Sequence, residues 1–251
     1  MKLVEIDAPQ YQEMVNILVK NPTEFLLSPH CRQFLAMSNF HKRGGKVSVH
    51  TASGGDVMPG TVEHNRIQID EGTYSSYLRT ARLIGPICAL DHIFHAPERF
   101  KVLSIGPRTE MELYHLVGCG FLPQNISAID LISPSPWIDV GDMHAMPYAD
   151  QSFDICISSW VLAYSRAPQK AVDEMMRVTK SGGIVAIGCT YEPNWRSVEY
   201  KSDDRKIVGS MFRHVSEIAA LIGPRLEAIH FQTEPPTDEK GSVMLIARIR
   251  H

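Results

Sequence analysis

The sequence has little net charge and no long apolar run, and each absence excludes a class of protein. Its 25 Lys and Arg residues nearly balance its 28 Asp and Glu residues, which leaves a net charge of −3. Nucleic-acid-binding domains usually carry a basic excess, so the sequence predicts no nucleic-acid partner. No apolar stretch reaches the roughly 18 residues that a membrane-spanning helix needs, which argues against a membrane protein.

Cysteines are also few, and the five present include no Cys-x-x-Cys pair. An odd number at irregular spacing is not typical of a disulfide framework or a zinc site and favours a reducing compartment. The first 20 residues mix acidic with apolar side chains, unlike the core of a signal peptide. We therefore expect a cytoplasmic protein. We predict no metal site, because His92 and His95 have no third ligand in register.

The pattern of apolar residues changes near residue 98 and predicts two parts, a helical or lid segment over 1–97 and a sheet domain over 98–251. Within the first part, residues 44–72 contain glycines and short β-branched runs, which predict loops or a small hairpin. Apolar residues recur at helical spacing over three stretches, 8–21, 22–43 and 75–95. We expect these helices to pack on the second part.

The second part alternates short apolar runs with amphipathic segments, as parallel sheets covered by helices do. The predicted parallel strands are 101–105, 126–130, 137–140, 153–159 and 183–189, and the predicted helices between them include 109–120, 167–183 and 214–223. Two final apolar runs, 225–234 and 242–250, predict an antiparallel hairpin. The expected fold class is α/β: a Rossmann-like, doubly wound, mainly parallel sheet with a C-terminal antiparallel hairpin and an N-terminal helical segment.

Four motifs support a more specific interpretation. They are VLSIG at 102–106, AIDL at 128–131, GDMHAMPYADQSFDICISS at 141–159 and DEMMRVTKSGGIVAIG at 173–188. Together they resemble the motifs of class I S-adenosylmethionine-dependent methyltransferases of the methyltransferase type 11 kind, over about residues 98–250. The resemblance implies methyl transfer as the activity and S-adenosylmethionine as the cofactor. One departure is that six residues, 131–136, separate the second and third strands, which is too few for a crossover helix.

The predicted cofactor-binding residues fall where strands end. Cofactors of such sheets bind beyond the carboxyl ends of the strands, where Gly106, Asp130, Asp142 and Ser158 lie. The resemblance implies that backbone near Gly106 approaches the methionine portion, that Asp130 accepts the ribose hydroxyls, and that Asp142 with Met143 contacts the adenine. The residues alone leave an alternative for each: Asp130 could be merely a polar residue that closes a strand, and Asp142 could merely cap a turn.

The first motif is atypical, because Arg108 and Glu110 stand where the family usually has glycines. Arg108 could bind the carboxylate of the methionine portion, and Glu110 could accept from its amino group, so that a side-chain clamp replaces the glycine turn. Alternatively, Glu110 only provides a favourable negative charge at the N-terminus of the following helix. Both interpretations keep the strand, turn and helix of a cofactor loop.

The candidate catalytic residues are His144, Tyr164 and His214. His144 follows Asp142, Tyr164 follows the fourth predicted strand, and His214 comes from the segment after the fifth. Positioning can supply most of the acceleration in methyl transfer, and a general base is needed only for a weakly acidic acceptor. The polar and aromatic residues of 191–213 suit a small polar metabolite or a sugar-like acceptor, and therefore O-methylation. Two alternatives stay open: a degenerate Rossmann-like binding or scaffold protein, and an enzyme that uses another adenosyl or nucleotide cofactor. A homodimer is compatible with the sequence.

Overall fold

The computed structural model describes residues 6–51, 55–70, 77–193, 198–202, 205–236 and 239–251. The helices are α1 (Ala8–Lys20), α2 (Pro29–Lys42), α3 (Thr61–Asp70), α4 (Tyr77–Cys88), α5 (Asp91–Phe94), α6 (Met111–Gly118), α7 (Pro168–Val178) and α8 (Val215–Ile222). The strands are β1 (Ser48–Val49), β2 (Val102–Ile105), β3 (Ile126–Asp130), β4 (Ile132–Ser133), β5 (Asp139–Val140), β6 (Phe153–Ser159), β7 (Thr179–Tyr191), β8 (Val198–Ser202), β9 (Arg205–Gly209), β10 (Leu226–Thr233) and β11 (Gly241–Ile249).

Seven strands form the main sheet, in the order β10-β11-β7-β6-β2-β3-β5. The strands β7, β6, β2, β3 and β5 run parallel. Strand β11 pairs antiparallel with both β7 and β10. From β2 the chain proceeds to β3 and β5 and then returns to β6 on the other side of β2, so the strand order reverses between β2 and β6. The predicted fold class, including the C-terminal hairpin, is confirmed.

Both faces of the sheet are covered, which explains why its strands are continuously apolar. Successive side chains of a strand point to opposite faces. In β2, Leu103 and Ile105 join the core that includes α7 and α8, whereas Val102 joins the core that includes α4 and α6. The chain passes from β3 to β5 through residues 131–138 without a helix, as the short spacing predicted. Strand β4 within this connection pairs with β1.

Helix α3 contradicts the prediction of loops or a hairpin over residues 44–72. Its sequence is weakly amphipathic, so hydrophobic periodicity gave no signal. Thr61, Asn65 and Ile69, spaced four residues apart, are all buried in the folded chain. Tertiary packing of one face therefore stabilises this helix, as it does for most short helices. The only strand between residues 44 and 70 in the described part of the chain is β1, which pairs with β4 rather than in a local hairpin.

Two of the predicted N-terminal helices, over 22–43 and 75–95, are each divided into two elements in the structure. Over 22–43, a 3₁₀ turn (Pro22–Leu27) precedes α2, and Pro29 disfavours helical geometry at Ser28 before it. Over 75–95, Pro86 is accommodated within α4, and the helix ends shortly afterwards, before α5. The later helix α7 ends at Val178, earlier than predicted, because the chain continues directly into β7.

Helix α4 belongs to the same core as the sheet, although it lies within the predicted N-terminal segment 1–97. Leu83, Ile84 and Ile87 are fully buried and pack in one cluster with Ile157 of β6. The boundary near residue 98 therefore marks a change in sequence pattern, whereas packing is continuous across it. None of the helices in the described ranges is both long and apolar enough to cross a bilayer.

We predict that Leu83→Ala lowers the free energy of unfolding of the whole chain by about 2–5 kcal/mol, because it leaves a cavity in the sheet core. Leu122→Ala is the matched control, since Leu122 is 37% exposed. Chemical denaturation followed by tryptophan fluorescence measures both. A second, separate transition with the main one unshifted would show that α4 folds independently of the sheet.

Candidate functional site

A cleft opens at the carboxyl ends of β2 and β6, where the strand order reverses and ligands of such sheets bind. It has two chambers. Counted together with the open solvent at its mouth, the apolar chamber has about 400 Å³ of empty space and the polar chamber about 490 Å³. The two chambers share the wall residues Asn65, Gly106, Asp130, Val161 and Tyr164, so they form one continuous cleft.

The Asp130 carboxylate holds the two loops that border the cleft. Its Oδ2 accepts from the backbone N–H of Arg108 at 2.9 Å, and its Oδ1 accepts from that of Ile132 at 3.3 Å. Asp130 is 7% exposed, and burial raises the pKa of its carboxyl although these backbone hydrogen bonds oppose the shift. A carboxylate offers about four acceptor sites, so hydrogen-bonding capacity remains toward the cleft.

The turn after β2 combines a required glycine with an arginine in an unusual conformation. Gly106 has φ of +70°, and a Cβ there would lie 2.1 Å from Cγ1 of Val161, so only glycine fits. Arg108 has φ of +58°, a conformation that costs a non-glycine residue some strain. Its hydrogen bond to Asp130 stabilises this turn. Its side-chain Nε donates to Oδ1 of Asn65 at 3.1 Å, which keeps the side chain on the wall of the polar chamber.

Asp142 lies on the wall of the apolar chamber and is held by His144. Its Oδ1 accepts from the backbone N–H of His144 at 2.9 Å and lies 2.5 Å from His144 Nδ1. The other ring nitrogen, Nε2, lies 2.6 Å from Ser165 Oγ, which accepts from the Ala167 N–H at 3.0 Å. Burial opposes ionisation of Asp142, but the hydrogen bonds from His144 hold its pKa below its ordinary value.

These contacts give His144 a positioning role. With a proton on Nδ1, the ring donates to Asp142 and accepts from the Ser165 hydroxyl, so both ring nitrogens and the hydroxyl have partners. His144 is 2% exposed and does not form part of the wall of either chamber. It would therefore act on a ligand through Asp142 rather than by touching it.

Other predicted site residues divide between the cleft and the rest of the fold. Tyr164 lines both chambers and stacks on His64 at a centroid distance of 6.1 Å, and Met143 lines the apolar chamber. Ser158 is buried within β6, outside both chamber walls. His214 precedes α8 with its Nδ1 3.5 Å from Glu234 Oε1, also outside these walls.

Glu110 faces away from the cleft, so the structure does not support the predicted clamp on the methionine amino group. Its Oε1 pairs with Nη2 of Arg43 at 2.9 Å and accepts from Ser135 Oγ at 2.5 Å. Its Oε2 accepts from Tyr114 OH at 2.8 Å and from Asn39 Nδ2 at 3.3 Å. Glu110 thus ties α6 to α2, and its place at the N-cap of α6 agrees with the alternative interpretation as a favourable charge there.

Glu112, which the sequence interpretation did not select, lies on the wall of the polar chamber. It is 1% exposed, and its Oε1 accepts from Ser104 Oγ at 2.6 Å. Burial raises the pKa of Glu112 to about 7, opposed by the hydroxyls of Ser104 and Ser159 and assisted by the charge of Asp130. One sequence signal was present: Ser104 is a polar residue inside an apolar strand, and a buried hydroxyl needs a partner.

Comparison with known proteins agrees with this architecture. Residues 110–187 match the methyltransferase domain family. The chain is 31% identical over 117 residues to the biotin biosynthesis bifunctional protein BioHC of Teredinibacter turnerae. This alignment covers 43% of this chain and 20% of that protein. It is also 33% identical over 104 residues to demethylmenaquinone methyltransferase of Paenarthrobacter aurescens. That alignment covers 38% of this chain and 41% of that enzyme. The chain thus matches less than half the length of each of these relatives.

Solved structures share the fold over most of the chain. The 1,6-didemethyltoxoflavin-N1-methyltransferase of Burkholderia thailandensis, crystallised with 1,6-didemethyltoxoflavin and S-adenosylhomocysteine, superposes with a TM-score of 0.51 at 16% identity, covering 82% of this chain and 95% of that one. The PH0226 protein of Pyrococcus horikoshii superposes with a TM-score of 0.50 at 14% identity, covering 69% and 91%. At these identities the likeness establishes the fold.

We predict that Glu110→Gln lowers the free energy of unfolding by about 1–3 kcal/mol, because it leaves the partly buried Arg43 without its ionic partner. Glu98→Gln is the control, since Glu98 is half-exposed and 3.8 Å from Arg99, and it should cost less than about 0.5 kcal/mol. Urea denaturation compares the two variants. Equal stability of the two would contradict a structural role for the Glu110 contacts.

We also predict that the free energy of unfolding of the Glu112→Gln variant, relative to that of the native protein, increases as pH rises from about 5 to about 8. The native carboxyl has a pKa of about 7 when folded and an ordinary value of 4.5. The folded state therefore binds more protons than the unfolded state between these values, and native stability falls as pH rises through this window. Glutamine does not titrate. Denaturation of both proteins at each pH tests this, and a difference independent of pH would contradict it.

Proposed function

We propose that this chain, which has the Rossmann-like fold of class I methyltransferases, transfers the methyl group of S-adenosylmethionine to a small polar acceptor in the cytoplasm. The observation that carries the proposal is the pair of carboxylates, Asp130 and Asp142, on the walls of one cleft at the reversal of strand order. A scaffold has no need for two buried acidic side chains on the walls of one cleft.

The residues of the cleft fit an adenosyl cofactor. Asp130 has acceptor capacity for the ribose hydroxyls, and Asp142 can accept from the adenine amino group while Met143 packs on the ring. The apolar chamber has the mostly apolar lining, with a few polar groups, that is typical of a small-molecule site. When bound, the cofactor would supply an electrophilic methyl group on sulfur. The protein would bind, orient and shield the reactants, and His144 would keep Asp142 ionised and in place.

Tyr164 is the predicted catalytic residue that lies on the cleft wall, so we assign it to the acceptor side. We propose O-methylation of a hydroxylated metabolite or sugar-like molecule, which the polar residues of 191–213 favour. Within that segment, 194–197 and 203–204 lie outside the described residues, as do the side chains of 198–202 and 205–209. The roles predicted for Ser158 and His214 remain predictions, as does a homodimer.

A degenerate binding protein is the alternative that one observation favours. The turn Gly106–Glu110 makes contacts that stabilise the fold: Arg108 with Asn65, and Glu110 with α2. A protein without a cofactor would still need these contacts. An enzyme with another adenosyl or nucleotide cofactor would use the same carboxylates, so the identity of the ligand distinguishes all three.

We predict that S-adenosylhomocysteine binds the native chain and that Asp130→Asn weakens this binding at least tenfold, since a charge-assisted hydrogen bond contributes about 1.5–3 kcal/mol. Asp91→Asn is the control, because Asp91 is an exposed residue of α5. Isothermal titration calorimetry measures the affinities, and mass spectrometry identifies any ligand that copurifies. Absence of binding at millimolar ligand by a folded native chain would refute the enzyme assignment.

A further inference from the structure

We propose that Glu112 and Ser159 bind the ammonium group of the cofactor's methionine portion, an inference that rests on the proposed function. The sequence pattern suggested Glu110 for this contact. The carboxylate proposed here, that of Glu112, belongs to the residue two positions later in the chain.

The first support is a pair of buried polar groups whose hydrogen-bonding capacity is not filled. In the described part of the chain, neither Oε2 of Glu112 nor Oγ of Ser159 makes a hydrogen bond of full geometry. The Ser159 hydroxyl lies close enough to the Glu112 carboxylate to lower its pKa, and both groups keep acceptor sites beyond that contact. Both residues are at least nine-tenths buried, and both line the polar chamber. Buried polar groups in native proteins are nearly always hydrogen-bonded. An ammonium group has three donors and no acceptor, so it can satisfy the carboxylate oxygen and the hydroxyl together.

The second support is the charge pattern of the chamber. Arg108 lines the same chamber as Glu112. An α-amino acid end carries one cation and one anion. The chamber therefore offers a guanidinium for the carboxylate group and a carboxylate for the ammonium group. It also opens directly from the apolar chamber at Gly106 and Asp130, which fits a ligand whose nucleoside lies on the other side of these residues.

The electrostatics of Glu112 make the contact dependent on pH. The groups that act on it in the described part of the chain are the hydroxyls of Ser104 in β2 and Ser159 in β6 and the charge of Asp130 at the end of β3, while Arg108 of the turn lines the same chamber. Burial and the Asp130 charge raise the pKa of Glu112 to about 7. An arriving ammonium group stabilises the ionised form, so binding releases a proton when the pH lies below that value.

Two ligands that differ only at the amino-acid end provide the test. S-adenosylhomocysteine carries the ammonium group, whereas 5′-methylthioadenosine has the same nucleoside and thioether without it. We expect Glu112→Gln to weaken S-adenosylhomocysteine roughly tenfold or more, Ser159→Ala to weaken it roughly fivefold, and both to leave 5′-methylthioadenosine within about twofold. In the native protein, affinity for S-adenosylhomocysteine should rise several-fold between about pH 5.5 and about pH 7.5, while that of 5′-methylthioadenosine stays flat.

The outcomes separate this inference from the proposed function. If neither ligand binds the native protein, the proposed function fails. If both bind but the variants weaken them equally, or weaken neither, the ammonium site is refuted and methyl transfer stands. If Glu112→Gln does not fold, the pH dependence of ligand affinity in the native protein provides the test. A ratio of the two ligand affinities that does not change with pH would overturn the inference.

Discussion

The hydrogen bond from the backbone N–H of Arg108 to the Asp130 carboxylate is the contact on which the site depends. It joins the turn after β2 to the end of β3, on adjacent parallel strands. By stabilising a positive φ at Arg108, it allows a non-glycine residue in this turn. The course of this turn then fixes where α6 begins, and therefore which side chains of its first turn face the cleft.

Two glutamates near the start of α6 show the consequence. Residues two apart on a helix point to nearly opposite sides, because each residue turns the helix by about 100°. Glu110 accordingly faces α2 and pairs with Arg43, whereas Glu112 faces the polar chamber and bonds Ser104. One turn of helix thus holds the N-terminal segment on one side and presents an acidic group to the cleft on the other. The N-terminal segment also supplies Asn65 to the cleft wall, so it helps to build the site.

Much of the sheet was predictable from sequence because strands buried on both faces read as unbroken apolar runs. The bounds of β3 and β6 were predicted to the residue, and Asp130, Asp142, Met143 and Tyr164 were placed at the correct edge because strand ends determine that edge. Helix α3 was missed because its burial comes from contacts distant in sequence. The directions of Glu110 and His144 were equally inaccessible, since they depend on partners such as Arg43 and Ser165 that only the tertiary fold brings near.

A crystal structure of the chain with S-adenosylhomocysteine would show whether the cleft binds the cofactor as proposed. We expect the adenine beside Asp142 and Met143, the ribose hydroxyls on Asp130, and the amino-acid end in the polar chamber, with its ammonium group within hydrogen-bond distance of Glu112. A ligand bound elsewhere, or one whose amino-acid end points away from Glu112 and Arg108, would contradict it.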